Sequence, residues 1–284
     1  MKVKIINELK QHPDYNLTIL LEIASLPRST YYYHLKNKKV KDDSKIIEAI
    51  KEICLKHKYR YGYRKVKQGL KRDYNLIVNH KKVLRIMKEN DLLSKVKPKK
   101  YKSYKGEVGK IADNILQQDF SAEDINQKWV SDITQFRINE KKVYLSPIMD
   151  LYSRDIVSYT ISESPNVDMV MEMLEKAVKS QKDITKLIIH TDQGFQYQNR
   201  RYSKYLEDNN IEQSMSRKGN CFDNAVIENY FGILKSEFYY QETFESVEDF
   251  KNKLSEYIEY YNKERISTKL KGMTPIEVRN HSNI

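Results

Sequence analysis

The stretch KWVSDITQFRINEKKVYLSPIMDLYSRDIVSYTIS, residues 128–162, decides the fold of this chain. It is rich in β-branched and aromatic residues and contains three strand patterns, KWVSDITQFRI, KVYLSPIMDL and SRDIVSYTIS. The polar turn INEK separates the first two patterns, and a short turn around Tyr152 separates the last two. Because short connections join antiparallel neighbours, the stretch predicts a three-stranded meander.

Helices and strands alternate in the chain after residue 162. The patterns predict, in order, a helix at VDMVMEMLEKAVKS, a strand at TKLIIH, a helix at NRRYSKYLEDNN, a strand at IEQSMS and a helix at FDNAVIENYFGILKSEF. We therefore predict an α/β fold with a mixed five-stranded sheet flanked by helices, the ribonuclease H-like arrangement. A further amphipathic helix is expected at SVEDFKNKLSEYIEYYNKER.

The chain before the meander predicts small all-α domains that resemble helix-turn-helix units. In NLTILLEIASLPRSTYYYHLKN, Pro27 ends the first helix, and Ser29 or Thr30 is available to cap the second. The predicted domains are an N-terminal helix-turn-helix-like segment, a helical DNA-binding domain, a basic linker, the catalytic core and a C-terminal helical extension, at residues 1–40, 43–93, 94–125, 126–240 and 241–284.

Charge divides the chain into a basic front and a mildly acidic body. Of the net charge of +12, residues 1–110 contribute 29 Lys and Arg against 11 Asp and Glu, a surplus of 18. The other 174 residues hold 22 against 28, a net −6. Lys and Arg neutralise phosphates in sequence-independent DNA binding, so the front is predicted to bind double-stranded DNA. The alternative is a charge excess that only solubilises the protein.

Two segments of the basic front are candidate DNA contacts. In HKKVLRIMKEN, capped by Asn79, an apolar face lies opposite a basic one, as in a recognition helix; an ordinary solvated helix is an equal alternative. In SKVKPKKYKSYK the lysines could follow a DNA backbone, or the segment could be a charged tether. The candidate DNA-binding residues are Arg64, Lys81, Lys82, Arg85, Lys88, Lys97, Lys99, Lys100 and Lys235.

Three carboxylates occupy positions that suit metal ligands. Asp132 lies in the first strand pattern, Asp192 directly follows the strand TKLIIH, and Glu228 lies on a predicted helix. Strands about 4.8 Å apart hold carboxylates at the separation that a two-metal cluster bridges. Oxygen ligands without His or Cys favour Mg²⁺ or Mn²⁺ over zinc. Any such triple also arises by chance on a charged surface, so the context of each residue carries the argument.

Neighbouring residues offer alternatives and additions to this site. Asp150 also ends a strand, but its position beside Ser153 and Arg154 indicates a turn residue. His190 is more simply a packed histidine than a catalytic one. On the face of the Glu228 helix, Lys235 could bind a phosphate, or it could be solvated.

Other classes of function lack their sequence signals. No apolar run reaches the roughly 20 residues that span a membrane, and MKVKIINELKQHPDY lacks the apolar region of a signal peptide. Cys54 and Cys221 form no CxxC pattern, so we expect a protein of the reducing cytoplasm. A GxxxxGK[ST] loop is also absent from the sequence, which argues against nucleotide hydrolysis.

Five ordered segments resemble the motifs of a known family. They are WVSDIT, YLSPIMDLYSRDIV, HTDQGFQY, MSRKGNCFDNAVIENYFGILKSE and YNKERISTKLKGMTP. In this order they resemble bacterial insertion-sequence transposases of the IS-three (IS3) family, over about residues 45–280. The resemblance is to the second-frame (OrfB) product, whose catalytic core is similar to that of retroviral integrases.

The resemblance implies a DDE transposase with Asp132, Asp192 and Glu228 as its catalytic and metal-binding triad, and with Lys235 at the basic position of the Glu228 helix. It implies two Mg²⁺ or Mn²⁺ ions, cleavage of DNA at the ends of an insertion sequence, and attack by the freed 3′-hydroxyl on target DNA. It also implies a homo-oligomer on DNA and an upstream-frame (OrfA) partner or fusion. Ser267 stands where many relatives carry His, which leaves the role of the C-terminal segment open.

Two other functions fit the same residues. A ribonuclease H-like nuclease would cut DNA without joining it. A DNA-binding regulator with a silent core would bind DNA without any metal-dependent chemistry. The presence of all three acids in suitable contexts favours the transposase.

Overall fold

The computed structural model describes residues 2–36, 43–96, 112–217 and 221–281, and the side chains of Lys36 and Cys221 are not described. The chain forms two compact units, one up to Ala49 and one from Ile50 onward. Lys97, Lys99 and Lys100 lie outside the described residues.

The first unit contains α1 (Lys2–Leu9), α2 (Leu17–Ile23), α3 (Arg28–Lys36) and the beginning of α4 (Ser44–Lys56). The side chain of Asn16 caps α2 by accepting a hydrogen bond from the Thr18 amide at 2.8 Å. Ile6, Leu21 and Tyr31 form a small core between the first three helices.

The prediction that Ser29 or Thr30 caps the helix after Pro27, which is α3, is wrong. Both residues lie inside α3, and the Pro27 carbonyl accepts the first bond of the helix, from the Tyr31 amide at 3.1 Å. Proline needs no amide partner and its φ suits a helix start, so Pro27 begins the helix earlier than a hydroxyl cap would.

The second unit begins with three helices around an apolar centre. They are the rest of α4, then α5 (Tyr63–Tyr74) and α6 (His80–Glu89). Asn75 ends α5 in the left-handed conformation at φ 53°, and the Asn79 side chain caps α6. The predicted apolar face of α6 is confirmed, because it is buried through Val83, Ile86 and Met87.

A mixed sheet forms the body of the second unit. Its strands are β1 (Lys128–Ser131), β2 (Thr134–Ile138), β3 (Lys141–Asp150), β4 (Ile156–Ser162), β5 (Ile188–Thr191) and β6 (Glu212–Met215). β3 pairs antiparallel with β1 and β2 along one edge and with β4 along the other. β5 pairs parallel with β1, and β6 pairs parallel with β5. The predicted meander and mixed ribonuclease H-like sheet are confirmed.

The sheet has six strands rather than the predicted five, because the first predicted strand is divided at Asp132 and Ile133. The register on the two sides is continuous, with Ser131 opposite Ile148 and Thr134 opposite Leu145. That register places Asp132 opposite Pro147, which has no amide hydrogen for the ladder. The break therefore falls at the residue predicted to bind metal.

Helices cover both faces of the sheet. They are α7 (Val167–Ser180), α8 (Arg200–Asp208), α9 (Ala225–Leu234), α10 (Val247–Lys263) and α11 (Pro275–His281), with a 3₁₀ turn at Cys221–Asn224 and a π-helical turn at Lys235–Tyr239. Successive residues Trp129 and Val130 enter two different clusters, as alternation along a strand requires. Trp129 packs with α7 and α8, and Val130 packs with α9 and α10.

Two predicted appendages contribute to this core. Leu116, in the predicted linker, and Phe250, Leu254 and Ile258, in the predicted C-terminal extension, are buried in the cluster that contains α9. The functional borders of the five predicted domains stay predictions. Among the described helices, none is long and apolar enough to cross a bilayer.

Candidate active site

Two of the predicted carboxylates follow neighbouring parallel strands. Ser131 at the end of β1 is the register partner of Thr191 at the end of β5. Asp132 and Asp192 are the next residues, so they leave the same edge of the sheet side by side. Adjacent strands lie about 4.8 Å apart, which brings the two carboxylates within range of shared ions.

A backbone amide orients each of these carboxylates. The Ile133 amide donates to Oδ1 of Asp132 at 2.7 Å, and the Gly194 amide donates to Oδ1 of Asp192 at 2.9 Å. Within the described part of the chain neither side chain accepts another hydrogen bond. The second oxygen of each carboxylate is therefore available to a ligand.

The electrostatics of the site favour a bound cation. Burial, then the negative charges of Asp192 and Glu228, raise the pKa of Asp132 well above its ordinary value. Burial also raises the pKa of Asp192, and burial together with Asp192 raises that of Glu228. Carboxylates that resist ionisation together are relieved by a cation between them.

The carboxylates are neighbours but do not form a closed cage. Across residues 2–36, 43–96, 112–217 and 221–281, no three His, Cys, Asp or Glu side chains are grouped closely enough to hold a metal ion as they stand. Mg²⁺ in phosphoryl-transfer sites is commonly held by one or two carboxylates, with water and substrate phosphate completing its shell. The oxygen-only donor set, with free oxygens on Asp132 and Asp192, fits that kind of site.

Glu228 is positioned by contacts made one turn earlier in the chain. The buried carboxylate of Asp223 accepts hydrogen bonds from Asn114 at 2.9 Å, from Gln118 at 2.9 Å, and from the backbone and guanidinium of Arg217 at 2.9–3.0 Å. Asp223 does not cap α9, whose N-cap residue is Asn224. Its oxygens join the segment before that helix to residues 114–118, more than 100 residues earlier, and to Arg217.

Asn224 is the N-cap residue of α9, and its side chain does not cap the helix. It is only 4% exposed, and neither polar atom of its amide has a hydrogen-bond partner among the described residues. Asn224 precedes Glu228 by one helical turn, so the two side chains share a face. Like the available oxygens of Asp132 and Asp192, this buried amide without a partner among the described residues could bind a polar ligand.

Lys235 follows α9 and faces the strand carboxylates. Its ammonium lies 5.4 Å from the centre of the Phe136 ring, and it interacts electrostatically with Asp132. Burial lowers the pKa of Lys235, and the charge of Asp132 opposes that shift. Lys235 therefore places a positive charge within the electrostatic range of an otherwise acidic site.

The π-helical turn after α9 is held by a buried ion network. Arg265 donates two hydrogen bonds of 2.7 Å to Glu237, and Tyr257 donates one of 3.1 Å. The ammonium of Lys65, on α5, lies 3.5 Å from the same carboxylate. The network joins the Glu228 helix to α5, α10 and the C-terminal motif.

Asp150, the alternative carboxylate, lies at the other end of β1 opposite Trp129. Its oxygens accept hydrogen bonds from the amides of Asn126, Tyr152 and Ser153 and from the Ser153 hydroxyl. These bonds close the turn after β3, so Asp150 is a turn residue, as the sequence indicated.

His190 is fully buried, and its Nδ1 lies 2.8 Å from the hydroxyl of Ser214 on β6. Burial lowers its pKa to about 4, which keeps the ring neutral. The preference for a packed histidine therefore agrees with its surroundings.

Sequence reasoning missed two residues beside Asp192. A Cβ on Gly194 would lie 2.9 Å from Oδ1 of Asp192, so only glycine fits there without displacing the carboxylate. Tyr197 is buried below the site, where its hydroxyl lies 3.2 Å from the Ser131 hydroxyl. Both belong to HTDQGFQY, so that motif was the available signal.

The candidate DNA contacts are mostly exposed. Lys81, Arg85 and Lys88 are exposed on α6 and Lys82 is half-buried, while Arg85 pairs with Glu89 at 2.8 Å. Arg64 lines a cleft beside α5. These side chains lie apart from the carboxylates, and their roles stay predictions.

Models of three families match successive parts of the chain. An HTH-like domain matches residues 41–100, and two integrase core domain models match residues 122–221 and 228–282. The second integrase core match begins at Glu228 and includes α10 and α11, which agrees with the packing of α10 in the core.

Two curated relatives cover most of the chain. InsK of Escherichia coli (strain K12), described as a transposase for insertion sequence element IS150, is 48% identical over 281 residues, which are 99% of this chain and 98% of InsK. The transposase for insertion sequence element IS904 of Lactococcus lactis is 32% identical over 238 residues, 83% of this chain and 94% of its own length.

A solved structure of the HTLV-2 integrase catalytic core domain in complex with magnesium is 16% identical, with a TM-score of 0.47. The superposition covers 56% of this chain and 99% of that domain.

Proposed function

Because the chain belongs to the IS3 family of insertion-sequence transposases, enzymes that cleave and join DNA strands, we propose that Asp132, Asp192 and Glu228 are its catalytic triad. The observation that carries this assignment is the register of β1 and β5, which sets Asp132 and Asp192 side by side. Mutual electrostatic influence among the three carboxylates supports the inclusion of Glu228.

Two Mg²⁺ or Mn²⁺ ions are the proposed cofactors, held by the free oxygens of Asp132 and Asp192 and by Glu228. Such ions lower the pKa of an attacking water and stabilise charge on the leaving oxygen of an in-line displacement. Hard oxygen donors without His or Cys select these ions over zinc.

The remaining contributions come from the chain itself. The amides of Ile133 and Gly194 hold the two strand carboxylates in place, so little reorganisation is needed when substrate arrives. Lys235 is the proposed contact for a phosphate next to the scissile bond, since it is a partly buried cation beside Asp132. Asp223 and Glu237 hold the two ends of the helical segment that carries Glu228.

The proposed substrates are the ends of the insertion sequence and target DNA, both double-stranded. Transposition must bring two ends together, so a homo-oligomer assembled on DNA is part of the proposal, as is an upstream-frame (OrfA) partner or fusion. Joining is a second displacement, in which the 3′-hydroxyl freed by cleavage attacks another phosphodiester. A new phosphodiester bond forms, and the 3′-oxygen of the attacked strand leaves and is protonated.

Pre-cleaved DNA ends with a free 3′-hydroxyl test this function. The wild-type protein should join them to a second duplex in Mg²⁺, and a nuclease of the same fold would only cut. Asp132→Asn, Asp192→Asn and Glu228→Gln should each lower joining by at least about 10³-fold, the range seen when essential catalytic groups are removed. Asp208→Asn, an exposed change on α8, should keep the wild-type rate.

Wild-type joining by the Asp192→Asn protein in Mg²⁺ would refute the triad. The DNA-binding regulator would be favoured by two results together: DNA affinity that survives loss of all three carboxylates, and no metal-dependent cleavage or joining by the wild-type protein.

A further inference from the structure

A basic cleft of about 500 Å³ lies in the second unit, away from the carboxylate site. α5 lines one side, the segment at residues 76–78 lines the rim, and the C-terminal turn at residues 268–272 lines the other side. Its basic lining residues come from both walls and are Arg64, Lys67, Lys71 and Lys271. A volume of this size admits the phosphate and sugar of a nucleic-acid backbone.

The α5 wall is a regular basic stripe. Arg64, Lys67 and Lys71 recur at intervals of three and four residues, so they lie on one face of the helix. The opposite face is buried through Val66, Gly69 and Leu70. Residues 64 and 71 are about 10 Å apart along the axis at 1.5 Å per residue, a length that covers two or three successive nucleotides of one strand.

The C-terminal wall is fixed in place before any ligand arrives. Arg72 binds Glu277 through two hydrogen bonds of 2.6 and 2.9 Å, which ties the beginning of α11 to α5. Gly272 closes the turn at φ 92°, where its amide donates to the Ser267 carbonyl at 2.8 Å. The turn thereby holds Lys271 across the cleft from α5.

The lysines of the cleft have no counter-ion in the described part of the chain. Among the described residues, no carboxylate pairs with the side chains of Lys67, Lys71 or Lys271, and all three are exposed. Two other cations of the same domain are paired, Arg85 with Glu89 and Lys65 with Glu237. A concentration of unpaired positive charge in a concave, preformed site is suited to a polyanion.

We propose that this cleft binds the phosphodiester backbone of duplex DNA and that the C-terminal turn is half of the site. Lys67, Lys71 and Lys271 each contact a phosphate. The helical domain and the C-terminal segment therefore both bind the same DNA. The proposal rests on the proposed function only in taking DNA as the partner. It gives the C-terminal segment a role in binding DNA rather than in the chemistry.

One further feature of the cleft agrees with a backbone ligand. Ile77, at the rim of the cleft, is 84% exposed although it is large and apolar. A deoxyribose that lies between two bound phosphates would cover such a side chain. Contacts of this kind position DNA and carry no sequence information.

The salt dependence of duplex binding tests the cleft in the full-length protein. The test variant is the triple variant Lys67→Gln, Lys71→Gln and Lys271→Gln. It should make the negative slope of log affinity against log salt shallower by about 2.7, at roughly 0.9 per phosphate contact. The matched control changes three exposed lysines of the sheet domain, Lys179, Lys182 and Lys204, to Gln. The probe is a blunt duplex of arbitrary sequence, since phosphate contacts do not read bases.

The control variant should keep the wild-type slope, and an Arg triple variant at the three cleft positions should keep it as well. A cleft variant with the wild-type slope, or a control variant with an equal loss, would overturn the proposal. Joining of pre-cleaved ends by the wild-type protein is measured in parallel. If the wild-type protein joins no ends, the proposed catalysis is refuted. The salt dependence of duplex binding still decides whether the cleft binds DNA.

Discussion

The strand carboxylates and the helix carboxylate of the site are positioned by different means. Asp132 and Asp192 are set by the register of two adjacent strands and by the amides of the residues that follow them. Glu228 depends on side chains far away in the sequence, through Asp223 at one end of its helical segment and Glu237 at the other. The strand pair is therefore fixed by the sheet, and Glu228 is held by side-chain contacts at the two ends of its helical segment.

This difference divides the site into two parts. The sheet supplies the pair of strand carboxylates, and the α9 segment supplies the third carboxylate. Glu237 connects that segment to Lys65 on α5, the helix that lines the basic cleft. Binding of DNA in the cleft and positioning of Glu228 thus share one structural element.

Removal of the charge on Glu237 should have the largest effect on stability. Glu237→Gln leaves Arg265 buried without its partner, so we expect a loss of about 3–5 kcal/mol in the free energy of unfolding at pH 7. Urea unfolding followed by the fluorescence of Trp129, the single and fully buried tryptophan, measures this loss.

The same pair predicts a pH dependence. Arg265 and Lys65 overcome the cost of burial and lower the pKa of Glu237 to about 2, against about 4.5 when it is unfolded. The stabilisation is therefore complete above pH 4.5 and is lost as the pH falls toward 2, by about 3 kcal/mol in total. The stability difference between wild type and Glu237→Gln should narrow over that range. A constant difference would show that the ion pair does not stabilise the α9 segment.

A shorter acid at position 228 tests the reach of the helix carboxylate. Glu228→Asp keeps the charge but withdraws the carboxylate by about 1.5 Å, one carbon–carbon bond. A misplacement of this size lowers rates by about 10²-fold, so joining of pre-cleaved ends should fall by that factor. Glu207→Asp on α8 is the control and should have no effect. Full activity of Glu228→Asp would mean that Glu228 does not contact the ions.

A smaller effect is expected at the glycine beside the strand pair. Gly194→Ala places a Cβ 2.9 Å from Oδ1 of Asp192, so the carboxylate must rotate and joining should fall about 10-fold. Gly232→Ala, on α9, has no atom within 4 Å of its new Cβ and should raise stability by about 0.5–1 kcal/mol. Equal rates for the two variants would show that the rotamer of Asp192 is unimportant.

Local patterns were sufficient to predict most of the elements and two of the site positions. Alternating β-branched residues indicated the strands, and they placed Asp132 within the first strand pattern and Asp192 directly after the strand TKLIIH. The division of the first strand depends on Pro147, a partner 15 residues away that only the pairing register reveals.

The supports of Glu228 could not be predicted for a similar reason. Asp223 is bound by Asn114 and Gln118, more than 100 residues earlier, and no local pattern indicates such a pair. The cleft is equally non-local, since Lys71 and Lys271 meet only after the C-terminal turn packs on α5. The predicted helix with a basic face, α6, is present in the structure, but none of its Lys or Arg residues lines the cleft.

Replacement of Asp192 by cysteine tests most directly whether the carboxylates bind shared metal ions. A thiolate is a soft ligand that binds Mg²⁺ poorly and binds softer ions better. Asp192→Cys should lose at least about 10³-fold of the joining activity in Mg²⁺ and recover at least 10-fold of it in Mn²⁺, whereas Asp192→Asn should not recover. The same residual rate for Asp192→Cys in both metals, with wild type active in each, would contradict a metal-binding role for this carboxylate.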